Sequence, residues 1–310
     1  MCVMKEYIAG WDGGGTKTIC EVRELAGGEM LRFTAGPLNP NGTVPGQADA
    51  TAAGLLAQMA ALPGGLAGCR MLCVGAAGIS NPATEQRLRA ALEQGGYGGP
   101  VCFTGDQQTA LYGALGGAGG MVLIAGTGSI CYGQTLAGEE ARAGGWGSLM
   151  DDEGGGYALG RDILAAVVRG FDGRGPATCL EPLVFGRLGV GDVRGMIGRV
   201  YAPGVGKREI AALAPLLSEA LEQNDAAARQ ICEKAGRELA LLVLPVANKL
   251  GLQNARAALA GSVLAKCPPV RQAVRAALQT ALPGLRCVSP QNDAASGAVL
   301  IARRALLQKK

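Results

Sequence analysis

The stretch that decides the fold is YIAGWDGGGTKTICEV, residues 7–22, in which two apolar runs flank a turn at residues 12–16. Such runs on either side of a tight turn predict two adjacent β-strands. Glycines carry no Cβ, so their backbone N–H groups can converge on an anion, and the hydroxyl of Thr16 adds a donor. A tight hairpin also favours glycine, so this loop by itself leaves both interpretations open.

A second stretch of the same design is GMVLIAGTGSICYG, residues 120–133. Its turn contains Gly126, Thr127, Gly128 and Ser129 between two further apolar runs. A simple hairpin explains this loop alone as well. One such loop in each half of the chain predicts a cleft that holds a polyphosphate from both sides, and hence an enzyme that uses a nucleotide.

Composition limits the alternatives. The 310 residues are 48% hydrophobic and 17% charged, enough for two domains with separate cores. A net charge of +4 without a basic, aromatic-rich stripe argues against a nucleic-acid partner. The sequence has no histidine, which excludes histidine bases, histidine-ligated zinc and serine–histidine hydrolysis. A carboxylate, lysine, cysteine or tyrosine must then act as any base.

The ten cysteines are scattered, and no C-x-x-C occurs. Structural zinc, thioredoxin-type redox chemistry and Fe–S ligation therefore lack their usual spacing. The expectation is reduced, mostly buried thiols in a cytoplasmic protein with no signal peptide. No apolar run is long enough to span a bilayer, so no membrane partner is expected.

Strands and helices alternate in each half of the chain. In the first half the sequence predicts strands at 7–11, 18–25, 30–35, 71–76 and 101–104, with helices at 48–62, 83–94 and 107–115. In the second half it predicts strands at 121–125, 130–135 and 287–289 and one ending at Leu259, with helices at 157–168, 208–221, 226–249, 270–281 and 294–307. The fold class is therefore α/β and duplicated. The glycine run at 116–120 predicts a boundary between domains 1–117 and 118–310, with the last helix packing back on the first domain.

Two aspartates in the first half have residue-level interpretations. Asp12 ends a strand, where one carboxylate could hold a hydrated Mg²⁺ together with substrate phosphates. Asp106, in TGDQQTALYGAL, opens a helix. It is either a helix N-cap or a general base directed at a substrate hydroxyl.

Two segments in the second half point to ligands. The segment GGWGSLMDDEGGGYALGR, residues 144–161 and hereafter the tryptophan segment, combines Trp146 with three consecutive acids. An aromatic face beside carboxylates suits a polyhydroxylated ligand, although an acidic helix start is the simpler explanation. Gly261 and Ser262 end a strand, where the backbone could approach a flat ligand such as adenine or merely turn.

Together these motifs resemble the BadF/BadG/BcrA/BcrD-type ATPase family, and within it the N-acetylglucosamine kinase branch. The resemblance runs from DGGGTKT, residues 12–18, to PQNDAASGAVLIAR, residues 290–303. It implies the duplicated actin-like (ribonuclease H-like) two-domain fold, with a nucleotide and sugar cleft between the domains. It also implies ATP and Mg²⁺ as cofactors, an amino sugar phosphorylated at its 6-hydroxyl, and a homodimer.

The resemblance also assigns site residues. It makes Asp106 the catalytic base. It implies nucleotide binding by Asp12, Gly13, Gly14, Gly15, Thr16, Lys17, Thr127, Gly128, Gly261 and Ser262, with Asp12 at the metal. It implies sugar binding by Asn39, Asp106, Gly145, Trp146 and Asp152.

Two positions depart from the glucosamine-type kinases. Ala77, in VGAAGIS, stands where a small hydroxyl is expected, and Ala143 precedes the double glycine where a cysteine can occur. N-acetylglucosamine, glucosamine and N-acetylmuramic acid all stay open as substrates. The alternative function is an ATPase that activates a reductase or dehydratase partner through a cysteine-ligated cluster, for which this chain offers no adjacent cysteines.

Overall fold

The computed structural model describes residues 5–27, 30–38, 46–79 and 81–308. The chain forms two compact units, one comprising Met1–Ala118 with Pro290–Lys310 and the other Gly119–Ser289. The strands are β1 (Tyr7–Gly13), β2 (Thr18–Glu24), β3 (Met30–Ala35), β4 (Cys69–Ala76), β5 (Val101–Thr104), β6 (Gly120–Ala125), β7 (Ser129–Gln134), β8 (Glu140–Gly144), β9 (Arg256–Ala260) and β10 (Arg286–Val288).

The helices are α1 (Gln47–Ala60), α2 (Pro82–Gln94), α3 (Asp106–Leu115), α4 (Gly156–Phe171), α5 (Leu180–Leu188), α6 (Val193–Val200), α7 (Lys207–Ala211), α8 (Leu216–Glu222), α9 (Ala226–Leu250), α10 (Ser262–Lys266), α11 (Pro268–Ala281) and α12 (Ala294–Gln308). A 3-10 turn at Leu66–Gly68 precedes β4. None of the helices in these described ranges is both long and apolar enough to cross a membrane.

The first unit is a five-stranded sheet in the order β3-β2-β1-β4-β5. β1 pairs antiparallel with β2 and parallel with β4, and β4 pairs parallel with β5. The central strand β1 alternates faces, as the strand period requires. Tyr7, Ala9 and Trp11 pack into a core with residues of α1 and α2, whereas Ile8 packs against α12.

Helix α12, from the far end of the chain, lies close against this sheet because the strand beneath it has a glycine. A Cβ on Gly10 would come within 2.8 Å of the Cβ of Ala298. The carboxyl ends of β1, β4 and β5 lie at one edge of the sheet, since these three strands are mutually parallel. In open α/β sheets that edge is where ligands bind.

The second unit repeats the topology, with the order β8-β7-β6-β9-β10. Here β6 pairs antiparallel with β7 and parallel with β9, and β9 pairs parallel with β10. The duplicated α/β fold predicted from the sequence is therefore confirmed. The core of this unit includes one face of the 25-residue helix α9, which continues through Pro245.

One predicted helix is wrong. Residues 208–221 form two short helices, α7 and α8, separated at residues 212–215. Pro215 has no N–H to continue the ladder and disfavours a helical residue before it. The chain there closes with tighter bonds, from the N–H of Leu213 to the carbonyl of Ile210 and from Ala214 to Ala211. The sequence also failed to predict β8, α5, α6 and α10, which span between five and nine residues each.

Nine of the ten cysteines lie in the described ranges, and none of these nine forms a disulfide. Six of them are buried. This agrees with the expectation of mostly buried thiols.

Candidate active site

The first glycine loop connects β1 to β2. The N–H of Gly14 donates to the carbonyl of Lys17 at 3.1 Å, and the N–H of Leu38 donates to the carbonyl of Gly14 at 3.3 Å. These bonds hold carbonyl groups inside the turn. Gly15 and Thr16 are exposed, and their N–H groups have no acceptor in the described part of the chain. The loop thus presents backbone donors and a hydroxyl to solvent, as an anion site requires.

Asp12 lies at the end of β1, opposite Gly75 of β4. Burial raises the pKa of its carboxyl to about 6, with further contributions from the like charges of Asp106 and Asp293, while Lys17 opposes the rise. A carboxylate whose charge is disfavoured in this way gains from a nearby cation.

Asp106 is the first residue of α3, directly after β5 and one glycine. Its Oδ1 accepts a hydrogen bond from the N–H of Gln107 at 3.0 Å, and its carbonyl accepts one from Oγ1 of Thr109 at 2.8 Å. Burial raises the pKa of Asp106 despite the bond from Gln107. The side chain therefore combines a fixed position with greater basicity than an exposed aspartate has.

The residues of this edge fit a hydrated Mg²⁺ rather than a fully protein-ligated metal. Within residues 5–27, 30–38, 46–79 and 81–308, no group of three histidine, cysteine or acidic side chains could hold an ion. Mg²⁺ typically takes one or two carboxylates, several waters and substrate phosphates. Asp12 supplies such a carboxylate directly before the first glycine loop, whose N–H groups suit the phosphates. Burial, which raises the pKa of Asp12, agrees with a cation there.

The second glycine loop, residues 126–128, connects β6 to β7 in the other unit. All three of its carbonyls are occupied by backbone donors: that of Gly126 by the N–H of Gly156 at 2.8 Å, that of Thr127 by the N–H of Tyr157 at 3.0 Å, and that of Gly128 by the N–H of Gly126 at 2.9 Å. The N–H groups of Thr127 and Gly128 have no protein acceptor among the described residues. Bonds from the start of α4 thus engage two carbonyl groups of this loop, and the N–H groups of Thr127 and Gly128 remain available to a ligand.

The glycines of the tryptophan segment are explained by backbone conformation. Gly144, Gly145 and Gly147 have φ of 81°, 74° and 89°, a region that side-chain-bearing residues rarely adopt. Trp146 stands between them, 60% exposed, with the guanidinium of Arg142 4.2 Å from its ring centre. The backbone N–H of Trp146 donates to the carboxylate of Asp151 at 3.3 Å. The segment therefore presents an aromatic face to solvent from a turn of defined shape.

Asp152 lies beside the second glycine loop. It adopts a φ of 69°, rare for a residue with a side chain, and its Oδ1 accepts a hydrogen bond from the N–H of Ser129 at 3.2 Å. The N–H of Gly155 closes the turn onto the carbonyl of Asp152 at 3.0 Å. Strained backbone of this kind is concentrated at functional sites.

Gly261 follows β9 at the carboxyl edge of the second sheet, and Ser262 begins α10. Gly261 has a φ of 91°, and a Cβ on it would lie 2.5 Å from the carbonyl carbon of Ala125. The chain can therefore turn here directly beside the start of the second glycine loop.

The structure thus brings the predicted residues together within each unit. Asp12 and Asp106 interact in the first unit, and Gly128 and Asp152 adjoin in the second. Asn39 lies outside the described residues. The sequence analysis missed two contributors, Ser129 as a contact of Asp152 and Arg142 as the stacking partner of Trp146. Only the spacing of four residues between Arg142 and Trp146 could have suggested the second.

Comparison with known proteins identifies the family. The sequence model of the BadF/BadG/BcrA/BcrD ATPase family matches residues 9–302. This chain belongs to the BadF/BadG/BcrA/BcrD ATPase family. A family member from Clostridium acetobutylicum, named N-acetylmuramic acid/N-acetylglucosamine kinase, is 33% identical over 301 residues, covering 96% of this chain and 98% of the relative. The N-acetyl-D-glucosamine kinase of Dictyostelium discoideum is 30% identical over 81% of this chain and 82% of its own.

Solved structures agree with this membership. A proposed N-acetylglucosamine kinase from Chromobacterium violaceum superimposes with a TM-score of 0.75 at 26% identity, over 96% of this chain and 99% of that one. A glucokinase of the ROK family from Streptomyces griseus, solved with glucose and AMPPNP, superimposes with a TM-score of 0.55 at 18% identity, over 96% and 98%. The second likeness concerns the fold alone, and it agrees with the actin-like fold expected for the BadF/BadG/BcrA/BcrD ATPase family.

Proposed function

We propose that this protein is a Mg²⁺- and ATP-dependent kinase of an amino sugar, acting on the 6-hydroxyl. The observation that carries the proposal is the arrangement of Asp12 and Asp106 at the carboxyl edge of the first sheet. Both aspartates are partly buried, both pKa values are raised, and a glycine loop with N–H groups suited to an anion follows Asp12 directly. This combination provides a base, a metal ligand and a phosphate site.

In the proposed reaction, Asp106 accepts the proton of the sugar hydroxyl as its oxygen attacks the γ-phosphorus. A new O–P bond forms, the bond from the γ-phosphorus to the bridging oxygen breaks, and ADP leaves. When bound, Mg²⁺ supplies charge neutralisation at the phosphates. The N–H groups of Gly15 and Thr16, and in the other unit those of Thr127 and Gly128, donate to phosphate oxygens. Phosphoryl transfer needs little more than such positioning and charge.

The sugar half of the proposal rests on the tryptophan segment. Trp146 offers an exposed ring, and Asp152 a carboxylate held at a fixed place. A ring face with an adjacent acceptor suits the apolar face and hydroxyls of a pyranose. Gly145 supplies the turn, and Asn39 is retained as a proposed contact.

The N-acetylated class is favoured by the relatives, which are named as N-acetylglucosamine and N-acetylmuramic acid kinases. Ala77 follows β4, at the same sheet edge as Asp12, and Ala143 belongs to β8 directly before the glycine turn. Both are small, so we propose that they widen the sugar site rather than alter the phosphate machinery. N-acetylglucosamine is the first candidate substrate, with N-acetylmuramic acid and glucosamine as further ones.

An ADP-release assay with ATP and Mg²⁺ over a panel of sugars tests this function. The panel is N-acetylglucosamine, glucosamine, N-acetylmuramic acid, N-acetylmannosamine and glucose. We expect release that depends on an N-acetylated sugar, with a 6-phosphosugar identified by mass spectrometry and NMR. Release that is indifferent to every sugar would favour the ATPase-activator function instead. The homodimer stays a prediction, to be measured by analytical ultracentrifugation.

A further inference from the structure

Ser129 uses all of its polar groups on the tryptophan segment. Its N–H donates to Oδ1 of Asp152 at 3.2 Å, and its hydroxyl donates to the carbonyl of Glu153 at 2.8 Å. Its own carbonyl accepts from the N–H of Gly145 at 2.9 Å. The residue is buried, so water does not compete for these bonds. The sequence did not predict this link between the second glycine loop and the tryptophan segment.

The position of Ser129 in the chain connects the second glycine loop to the tryptophan segment. It is the first residue of β7 and directly follows the second glycine loop. A shift of that loop therefore moves the three groups that hold the tryptophan segment near Gly145 and near Asp152. The two motifs cannot rearrange independently.

Glu153 is held from its other side by charge. Its carboxylate pairs with the guanidinium of Arg161 at 2.8 Å, and the ammonium of Lys234 lies 3.7 Å away. Lys234 also pairs with Asp162 at 2.8 Å. The side chain of Glu153 is thus fixed to α4 and α9, whereas its carbonyl is fixed to the glycine loop through Ser129. Because Asp152 immediately precedes Glu153, these two attachments also restrict the position of its backbone.

We propose that Ser129 is a positioning residue that couples nucleotide binding to sugar binding. It holds Asp152 at the sugar through the same backbone that carries the phosphate donors of Thr127 and Gly128. Occupation of the glycine loop by phosphate then fixes Asp152, and the bound sugar in turn fixes the loop. This inference rests on the proposed function. By linkage, the two ligands must raise each other's affinity by the same factor.

Ser129→Ala removes the hydroxyl bond to Glu153 and leaves that carbonyl unpartnered, while the N–H bond to Asp152 is retained. We expect sugar affinity to fall about ten-fold, the loss typical of one buried hydrogen bond. Ser129→Thr keeps a hydroxyl and should restore most of the affinity. Ser218→Ala is the matched control, because its half-buried hydroxyl in the same unit has the sulfur of Cys267, at 3.9 Å, as its only hydrogen-bond partner among the described residues.

The decisive measurement is the dissociation constant of N-acetylglucosamine, by calorimetry, with and without saturating ADP and Mg²⁺. In wild type and Ser218→Ala we expect ADP to tighten sugar binding at least about five-fold, the lower end of typical coupling. In Ser129→Ala this factor should be smaller than in wild type, because the hydroxyl bond to Glu153 is lost while the backbone bonds to Asp152 and Gly145 are retained. The ADP affinity in the absence of sugar should change less than about three-fold. Circular dichroism and thermal melting verify that each variant is folded.

Two failures are distinguishable. Wild-type protein that binds none of the five panel sugars overturns the proposed function and this inference with it. Wild-type protein that binds sugar with coupling to ADP, beside a folded Ser129→Ala variant with undiminished coupling, overturns the inference alone. A double variant with Asp152→Asn adds a second test: if Ser129 acts through Asp152, its substitution costs little further affinity once Asp152 has been changed.

Discussion

The carboxylate of Asp152 occupies the space that a side chain on Gly128 would need: a Cβ there would lie 2.6 Å from the carboxylate oxygens. Gly128 does not adopt a positive φ, so its backbone is open to other residues. The absence of a side chain at 128 is therefore required by the neighbour and not by the turn. The glycine proposed for phosphate binding and the acid proposed for sugar binding therefore fit against each other.

Gly128→Ala should consequently displace Asp152. We expect the KM for sugar to rise at least about ten-fold, since a displaced carboxylate loses roughly one charge-assisted hydrogen bond. Gly126→Ala is the control for this effect, because a Cβ at that position meets no atom within 4 Å. Steady-state kinetics with varied sugar measure both variants. Equal sugar KM values in the two variants would contradict the role of Asp152 as a sugar contact.

Asp106→Asn should abolish proton acceptance with little change of shape. We expect kcat to fall about 10²- to 10⁴-fold, the usual contribution of a general base, while the KM for ATP changes little. The wild-type kcat should also decline at acid pH, because the base must be ionised and burial raises its pKa. Asp49→Asn, which removes only an ion pair with Arg87 on the surface of the same unit, is the control. Near-normal turnover in Asp106→Asn would remove this residue from the chemistry.

Much of this site follows from local sequence. Both glycine loops were predicted at strand ends, because glycine and the change from apolar to polar residues mark turns in the sequence itself. Asp106 was placed at the start of a helix for the same reason. The boundaries of most helices and strands were predicted to within three residues, since long apolar periodicities are dominated by local burial.

What escaped prediction depends on contacts between distant residues. Asp152 reaches Gly128 through a positive φ, which aspartate adopts only occasionally, so the sequence does not predict this backbone conformation. The buried carboxylate of Glu21 is bound by Arg23, Arg32 and Ser296, the last of these 275 positions away. Such a network exists only once α12 has packed on the first sheet, so the sequence around Glu21 carries no signal of it.

Trp146 provides an optical test of the sugar site. The chain has two tryptophans, and Trp11 is 1% exposed whereas Trp146 is 60% exposed. Sugar covering the Trp146 ring should change its emission and perturb its stacking on Arg142. We expect this fluorescence change to vanish in Trp146→Phe, with the sugar KM raised about ten-fold by the loss of ring area. A change that persists in Trp146→Phe would have to arise elsewhere and would contradict the assignment.

The pH dependence of stability distinguishes Asp12 from Asp293, its neighbour in the first unit. The pKa of Asp12 is raised to about 6, chiefly by burial, so its protonated form is the one that folding favours. Its contribution to stability is complete below about pH 4 and is lost as pH rises through 6. The pKa of Asp293 is lowered: burial alone would raise it, but hydrogen bonds from Arg32 and Ser296 outweigh that effect. Its contribution is present at neutral pH and is lost on acidification.

Asp12→Asn should therefore be more stable than wild type at pH 8, on the order of 2 kcal/mol, and the gain should disappear by pH 4. Asp293→Asn should be less stable than wild type at pH 8, with a deficit that shrinks toward acid pH. Thermal melting between pH 4 and pH 8 measures both. Added Mg²⁺ with ADP should raise the Tm of wild type more than that of Asp12→Asn, because ligand binding stabilises the form that holds it. Two outcomes would contradict an Asp12 carboxylate whose charge is disfavoured by burial and stabilised by a cation: an Asp12→Asn variant that is less stable than wild type at pH 8, or an equal rise in Tm of the two proteins with Mg²⁺ and ADP.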